Sequence, residues 1–579
     1  MRRSLIAGLV MAMAVAFAAA PVTARPFVPS PPGDQSYLVL YASDVPAAVA
    51  RAAIRAAGGT IVEENRWVGL ATVRAGNPEF LEAVAGQRAL AGASQDHAIG
   101  WAPGNASSDP NPSMAAALKA ATATARPARQ AKGARALPPE PEPFEARQWD
   151  MRMISATPDG SYRVDQGSKG VLVGVIDTGV DGSHPDIAPN FDRAMSRTFT
   201  HDVPAVDGPC EHPSCADPPD EDDEGHGTHV AGIIAAALNG LGIGGVAPGV
   251  TLVSLRAGQD SGLFFLQPVV DALTYAGLHG IDVVNLSFYT DPWLYNCPHN
   301  PADTPDEQRE QRIIVEATQR AVEFARAHGV TPIAALGNEH HDLDGPRADA
   351  AHPGAVSASP GGLGPVSDDT SPDYPPQSAK HRLIDRSCLS VPTETRGVLA
   401  VSALGPDGGK ANYSNWGLKD TAFAAPGGDL DDFKGTNRSK LPENAVLSAY
   451  PAKVARAHHD LRADGAPRNP SVLRDCEHSA CAYYQYLQGT SMAAPHAAGV
   501  AALIVSAFGH PDPAHGGLTL GPGTVERILR GSATETACPA PLITYAGRGP
   551  DYDTRCQGSR QFNGVYGHGI VNALHAVQP

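Results

Sequence analysis

Two scarcities narrow the possibilities first. Charged residues make up only 18% of the 579 positions and hydrophobic residues 42%, which excludes a wholly disordered chain. Basic charge is also short: 44 Lys and Arg face 61 Asp and Glu, a formal net charge of −17. The deficit is uneven, with residues 1–143 carrying +3 and residues 144–579 carrying −20. Phosphate repels so acidic a body, so nucleic acid is not an expected partner. Cysteine is absent from the first 209 residues. After residue 20, no continuous apolar run reaches the roughly 18 residues that mark a membrane-spanning helix. The 60 Gly and 52 Pro follow no G-X-Y period, which excludes collagen and points to tight turns and long loops. At roughly 150 residues per domain, the length predicts about three to four domains.

What is present begins with an export pattern. Arg2 and Arg3 precede an apolar run over 5–20, and Ala18, Ala20, Val22 and Ala24 supply small residues at its end. Residues 1–24 therefore read as a secretory signal cleaved near Ala20 or Ala24, and the product is expected outside the cell. Eight cysteines in an exported chain favour disulfides. Spacing suggests Cys210–Cys215, Cys476–Cys481 and Cys538–Cys556 as local pairs, which leaves Cys297 with Cys388, although eight cysteines allow 105 connectivities. The repeated frames C-E-H-P-S-C (210–215) and C-E-H-S-A-C (476–481) keep a zinc reading open, but an oxidising compartment takes thiols first.

Composition then divides the chain. Residues 36–99 read as a small α+β unit: a strand over 36–42, an Ala-rich helix over 45–57, two short strands within 59–73 and a helix over 78–85. Residues 100–143 are rich in Ala, Pro and Ser, with P-P-E-P-E-P at 138–143, and read as a linker holding a processing site. From 144 the pattern becomes α/β. Near-continuous apolar strands at 171–176, 252–255, 283–286 and 331–335 alternate with helical stretches such as 229–238 and 307–328. That alternation predicts a mostly parallel sheet covered on both faces.

Three chemical segments sit on that scaffold. Asp177 ends the strand V-G-V-I-D-T-G, His226 opens G-H-G-T-H-V-A-G, and Ser491 lies in G-T-S-M-A-A-P-H-A-A-G before a helical run. A serine hydroxyl is a weak nucleophile that needs a base in hydrogen-bond reach. His226 is the candidate base, Asp177 the group that orients it, and the helix N-terminus at Ser491 an N–H donor for a developing oxyanion.

These segments resemble the three catalytic signatures of the subtilisin-like serine protease family: V-I-D-T-G-V-D-G-S-H-P-D-I (175–187), G-H-G-T-H-V-A-G-I-I (225–234) and G-T-S-M-A-A-P-H-A-A-G-V (489–500). A-A-L-G-N-E (334–339) is similar to the segment carrying the family's oxyanion-hole asparagine, here Asn338, and Y-G-H-G-I-V-N-A (566–573) to its closing segment. The resemblance covers roughly 144–579. It implies a three-layer α/β fold with a mostly parallel central sheet, and a secreted serine endopeptidase acting through an acyl-enzyme on Ser491. It also implies that 36–99 is a ferredoxin-like propeptide that inhibits the enzyme until it is removed. The expected partners are a protein or peptide substrate and the chain's own propeptide. No membrane anchor is expected to remain after signal cleavage, and the chain is expected to be a monomer.

The resemblance further implies a substrate cleft lined by Ser287, Phe288 and Tyr289 on one side and Ala335, Leu336 and Gly337 on the other. Tyr289 and Thr290 stand where the family has glycines. Asp186 and Asn239 are similar to positions that hold a structural calcium; no cofactor is expected for the chemistry itself. Stretches 291–311, 342–396 and 429–488 read as insertions. The acidic run 217–224 (D-P-P-D-E-D-D-E) is expected to be a solvated loop, and His229 and His496 to be packed inside helices. Two further readings compete: a non-catalytic peptide-binding relative, and a processing peptidase dedicated to one partner peptide.

Overall fold

The computed structural model describes residues 35–95, 141–204, 207–290, 292–349, 382–477 and 480–578. The signal segment and most of the linker lie outside the described residues.

The first unit runs β1 (Gln35–Tyr41), α1 (Ala47–Ala56), β2 (Thr60–Asn65), β3 (Leu70–Ala75), α2 (Phe80–Ala85), β4 (Leu90–Gln95). Its strands form one antiparallel sheet in the order β2-β3-β1-β4. Period-two alternation gives β1 two faces. Tyr37, Val39 and Tyr41 close on α1 and α2, whereas Leu38 and Leu40 turn outward onto the larger body.

That body opens with α3 (Trp149–Met153) and is built on β5 (Leu172–Asp177), β6 (Arg197–Thr198), β7 (Thr251–Arg256), β8 (Val283–Leu286), β9 (Thr331–Ala335), β10 (Leu399–Leu404) and β11 (Thr421–Pro426). These seven strands form a sheet of order β11-β10-β9-β8-β5-β7-β6, and every neighbouring pair is parallel. α4 (His226–Ala235) lies on one face, and α5 (Leu266–Leu278) and α6 (Pro305–Ala327) lie on the other. Later in the chain α7 (Ala452–Ala457) precedes α8 (Thr490–Phe508) and α9 (Pro522–Ser532), and the last two join α4. Both faces of each strand are therefore apolar: Leu252, Val283 and Ile333 meet α4 and α8, while Val253, Val284 and Ala334 meet α5 and α6. This is why the strands read as continuous apolar runs rather than as alternating ones.

α8 is long and apolar enough by composition to cross a membrane, but 78% of its most apolar window is buried in the protein, and it is the central core helix. The stretch expected as the third insertion contributes a three-stranded antiparallel sheet, β12 (Val446–Tyr450), β13 (Val472–Glu477) and β14 (Ala480–Leu487), ordered β12-β14-β13 and packed against α4. Much of the second insertion, 350–381, lies outside the described residues.

The eight cysteines form Cys210–Cys215, Cys297–Cys388, Cys476–Cys481 and Cys538–Cys556. Both Cys-Glu-His frames are thereby oxidised, so the zinc reading fails for want of free thiolates.

Candidate active site

In a parallel sheet the carboxyl ends of the strands open into loops, and ligand sites gather there. Asp177 closes β5, Ser287 follows β8 and Gly337 follows β9, so three of the predicted positions share one sheet edge by topology alone. α4 starts at His226 and α8 starts one residue before Ser491.

Asp177 is fully buried, and its Oδ1 lies 2.8 Å from His226 Nδ1. Thr178 N also donates to that oxygen, at 2.8 Å. The close approach of α4 to this turn depends on Gly227, where a Cβ would lie 2.0 Å from the Gly179 carbonyl. Burial alone would push the His226 imidazole down. The Asp177 carboxylate, then Glu224 and Asp222, outweigh it and hold the ring up at about 9.

Ser491 Oγ donates to the Ser287 carbonyl at 3.1 Å, and Ser287 Oγ donates back to the Ser491 carbonyl at 3.0 Å. Among the described residues the hydroxyl makes no hydrogen bond to His226. The Asn338 side-chain oxygen accepts from Thr490 N at 2.9 Å and Thr490 Oγ1 at 2.8 Å. With that oxygen occupied, the amide Nδ2 stands beside Gly489 at the start of α8, where Thr490 N is held by Asn338 and the Met492 and Ala493 N–H groups donate to the Gly489 carbonyl. Gly337, at φ 107°, makes the bend that presents Asn338, and a Cβ there would meet Asn415 at 2.3 Å.

The expected cleft residues divide. Ser287 and Gly337 flank the Ser491 turn, Gly337 N donating to Thr490 Oγ1 at 3.0 Å. Phe288 stacks on Phe264, ring centroids 4.0 Å apart. Tyr289 is half-buried and Thr290 fully buried, and the Thr290 N–H donates to Val391. The Ala335 carbonyl is capped by Thr393 at 2.8 Å. Leu336 packs its side chain into a cluster with Tyr295, Leu343 and the Cys297–Cys388 pair, so only its backbone is placed to meet a ligand.

The acidic run departs from expectation. Asp217, Asp220 and Asp222 are buried, not solvated. Asp222 accepts from Thr178 Oγ1, Gly225 N, Thr228 N and Thr228 Oγ1 at 2.6–3.0 Å, which ties the Asp177 turn to the start of α4. Glu224 accepts from His226 N at 2.7 Å. The short spacing to His226 was the available signal for both roles, but a run of acids normally marks solvent. His229 and His496 are fully buried as expected, bonded to Gln485 O at 3.0 Å and to Met492 O at 2.8 Å.

Asp186 and Asn239 do come together, 3.2 Å apart. A calcium ion needs free oxygen ligands, and these are taken: Asp186 Oδ2 accepts from Tyr484 OH at 2.8 Å and Ile243 N at 3.2 Å, Oδ1 accepts from Asn239 Nδ2, and Asn239 Oδ1 accepts from Leu241 N at 2.9 Å. Burial also pushes the Asp186 carboxyl up to about 7, toward the neutral form. This pair does not fit a calcium site. Acidic groups that can gather round a metal lie elsewhere, at Asp202, Glu211 and Asp217 and at Asp217, Asp223 and Asp260.

A parallel sheet with an Asp–His pair, a serine at a helix N-terminus and an asparagine amide beside it defines the serine-protease class of site. The Subtilase family model matches residues 168–569, so the chain belongs to the subtilases, the subtilisin-like serine endopeptidases. It is 26% identical over 345 residues to subtilisin DY of Bacillus licheniformis, covering 59% of this chain and 80% of that protein. Over 370 residues it is 26% identical to the nisin leader peptide-processing serine protease NisP of Lactococcus lactis subsp. lactis, covering 63% of this chain but 45% of that one. In fold it is similar to the epidermin leader peptide processing serine protease of Staphylococcus aureus, with a TM-score of 0.58 and 18% identity over 94% of this chain and 98% of that one.

Proposed function

We propose that the chain is an exported serine endopeptidase, made as a self-inhibited precursor, that cleaves peptide bonds through an acyl-enzyme on Ser491. The observation that carries this reading is the 2.8 Å contact of buried Asp177 with His226, set at the same sheet edge as the Ser491 helix start. In the reaction the Ser491 hydroxyl exchanges the Ser287 carbonyl for His226 Nε2. It gives its proton to that nitrogen as Oγ bonds to the substrate carbonyl carbon. Asn338 Nδ2 and the Ser491 N–H hold the resulting oxyanion. Collapse breaks the C–N bond, His226 returns the proton to the leaving amine, and water repeats the cycle on the ester. No step calls for a metal.

Because His226 must be neutral to act as a base, its high pKa sets the pH profile. With the ring near 9, only about 1% is neutral at pH 7, so kcat/KM is expected to rise about tenfold per unit up to roughly pH 9. Glu224→Gln removes a carboxylate that favours the imidazolium, so the ascending limb should move toward neutrality. An unmoved limb in a pH–rate measurement would show that Glu224 does not act on His226.

The first unit is proposed as a ferredoxin-like propeptide. Its sheet lies across α5 and α6: Asn65 Nδ2 donates to Asp271 at 2.6 Å and Thr274 at 2.7 Å, and Arg320 donates to the carbonyls of Tyr41 at 3.0 Å and Val68 at 3.1 Å. Charged hydrogen bonds of this kind contribute about 1.5–3 kcal/mol. Arg320→Ala is therefore expected to shorten the lag between self-cleavage and full activity by about tenfold or more, as followed by continuous assay of a peptide substrate.

A second reading is a processing peptidase of narrow range. It is favoured by Phe288 and Tyr289, bulky residues that directly follow Ser287 in the chain, and by two similar proteins whose names describe leader-peptide processing. Cleavage of a random peptide library separates the two readings, since a broad digestive enzyme cuts many sequences and a dedicated one few.

A further inference from the structure

We propose that Asn415 is a positioning residue for the oxyanion donor, a role that rests on the reading of Asn338 given above. It clamps the loop 336–341 on both sides of Asn338 and so fixes where the Asn338 amide stands. Asn415 is 1% exposed. On the near side of Asn338, its backbone N–H donates to the Gly337 carbonyl at 3.0 Å and its Nδ2 to the Leu336 carbonyl at 3.2 Å. On the far side, Nδ2 donates to Glu339 Oε2 at 2.7 Å and Oδ1 accepts from His341 N at 2.8 Å. Both amide hydrogens and the amide oxygen are thus spent on one loop.

The loop has a shape that it would not keep unaided. Gly337 at φ 107° and His340 at φ 57° put left-handed residues on either side of Asn338, and His340 is not a glycine. Non-glycine residues leave that region unless their surroundings over-determine them. Here they do: His340 N donates to the Tyr413 carbonyl at 2.7 Å and Trp416 N to the His341 carbonyl at 3.0 Å, so 413–416 runs alongside the loop. Asn338 itself is exposed, and hydrogen bonds rather than apolar packing hold it.

Asn415 is braced in turn against the rest of the site. Ala403 N, in β10, donates to Ser414 Oγ at 3.0 Å, which donates on to the Asn415 carbonyl at 3.0 Å. Asn412 is held by Asp429, through its N–H at 2.7 Å and its Nδ2 at 3.0 Å. The Tyr413 hydroxyl donates to the Gly427 carbonyl at 3.0 Å, the same carbonyl that accepts from Gly489 N at 2.9 Å. The stretch that grips the Asn338 loop therefore also reaches the turn that begins α8, and with it Ser491.

Thr490 grips the Asn338 side chain, but that side chain is no better placed than the backbone beneath it. A displacement of about 1 Å in a group that must meet the transition state costs on the order of 10²-fold in rate. Asn415→Ala removes the three side-chain bonds and keeps the backbone one, so the loop loses its hold at residues 336, 339 and 341 together. The loss should fall on kcat, because Asn338 meets the oxyanion and not the bound substrate.

The experiment is a double-mutant cycle on the full chain after secretion and maturation, read by steady-state hydrolysis of one peptide substrate. Asn415→Ala is expected to lower kcat about 10- to 100-fold with KM nearly unchanged. In an Asn338→Leu background the same change is expected to lower kcat no more than about twofold, because the group it positions is gone. An equal loss in both backgrounds, a rise in KM with kcat intact, or an unchanged kcat would overturn the proposal and leave Asn415 as a residue of the fold alone. If Asn338→Leu by itself leaves kcat intact, the oxyanion reading fails first and the clamp falls with it. Where Asn415→Ala does not fold, Glu339→Ala takes away one of the two Nδ2 acceptors at a half-buried position. A kcat loss of about threefold or more that disappears in the Asn338→Leu background then supports the clamp, and any other result overturns it.

Discussion

With Ser491 changed to Ala, the secreted chain is expected to keep its propeptide and to lose casein hydrolysis by a factor on the order of 10⁶. The reason is structural as well as chemical. Among the described residues Ser491 Oγ is the hydroxyl at the start of α8 that Asn338 does not hold; the Thr490 hydroxyl is turned to Asn338. Removing the Ser491 hydroxyl deletes one donor, to the Ser287 carbonyl, and disturbs no buried network, so the variant should fold. His226→Ala is expected to cost about as much, and the double change little more than either single one, because nucleophile and base act as a unit. N-terminal mass spectrometry of the secreted product and a casein assay check both points. If the Ser491→Ala chain still sheds the segment before residue 144, another protease matures it and self-processing is wrong. If it still hydrolyses casein, Ser491 is not the nucleophile.

The parts of this site that were legible in the sequence are those in which chemistry, backbone and spacing are compressed into a few residues. G-H-G-T-H carries the proposed base, a close-approach glycine and a helix start together. G-T-S carries the proposed nucleophile and Thr490, whose grip on Asn338 is a contact across 152 positions that no local pattern announces. Four buried strands were legible because a covered parallel sheet needs apolar residues on both faces. The same logic failed at 217–224, where a charge run means solvent unless buried donors such as Thr178, Thr228 and Arg256 are waiting, and those donors come from three separate segments. It failed again at Asp186, because the group that fills the expected calcium position, the Tyr484 hydroxyl, arrives from 298 residues away. The three local disulfides followed from spacing, since hairpin-scale separations bring cysteines within bonding distance. Cys297–Cys388, 91 residues apart, followed only because no other partner remained.

Asn338→Leu should lower kcat by about 10²–10³, equivalent to roughly 2.7–4 kcal/mol, while leaving KM nearly unchanged. The amide is held by its oxygen through two Thr490 donors, so its nitrogen is fixed in advance and donates only where negative charge develops. An interaction made in the transition state and not with the bound substrate lowers kcat and kcat/KM together. Thr490 supplies a graded control. Thr490→Ser keeps both donors to Asn338 and should stay near full activity, whereas Thr490→Val keeps only the N–H. Valine also leaves the Gly337 N–H without its acceptor, so that variant should lose both rate and about 1–3 kcal/mol of stability. Steady-state kinetics of the three variants on one peptide ester or amide separate the possibilities. A rise in KM with kcat intact would mean that Asn338 binds substrate rather than the oxyanion, and an Asn338→Leu enzyme as fast as the parent would place the oxyanion on backbone donors alone.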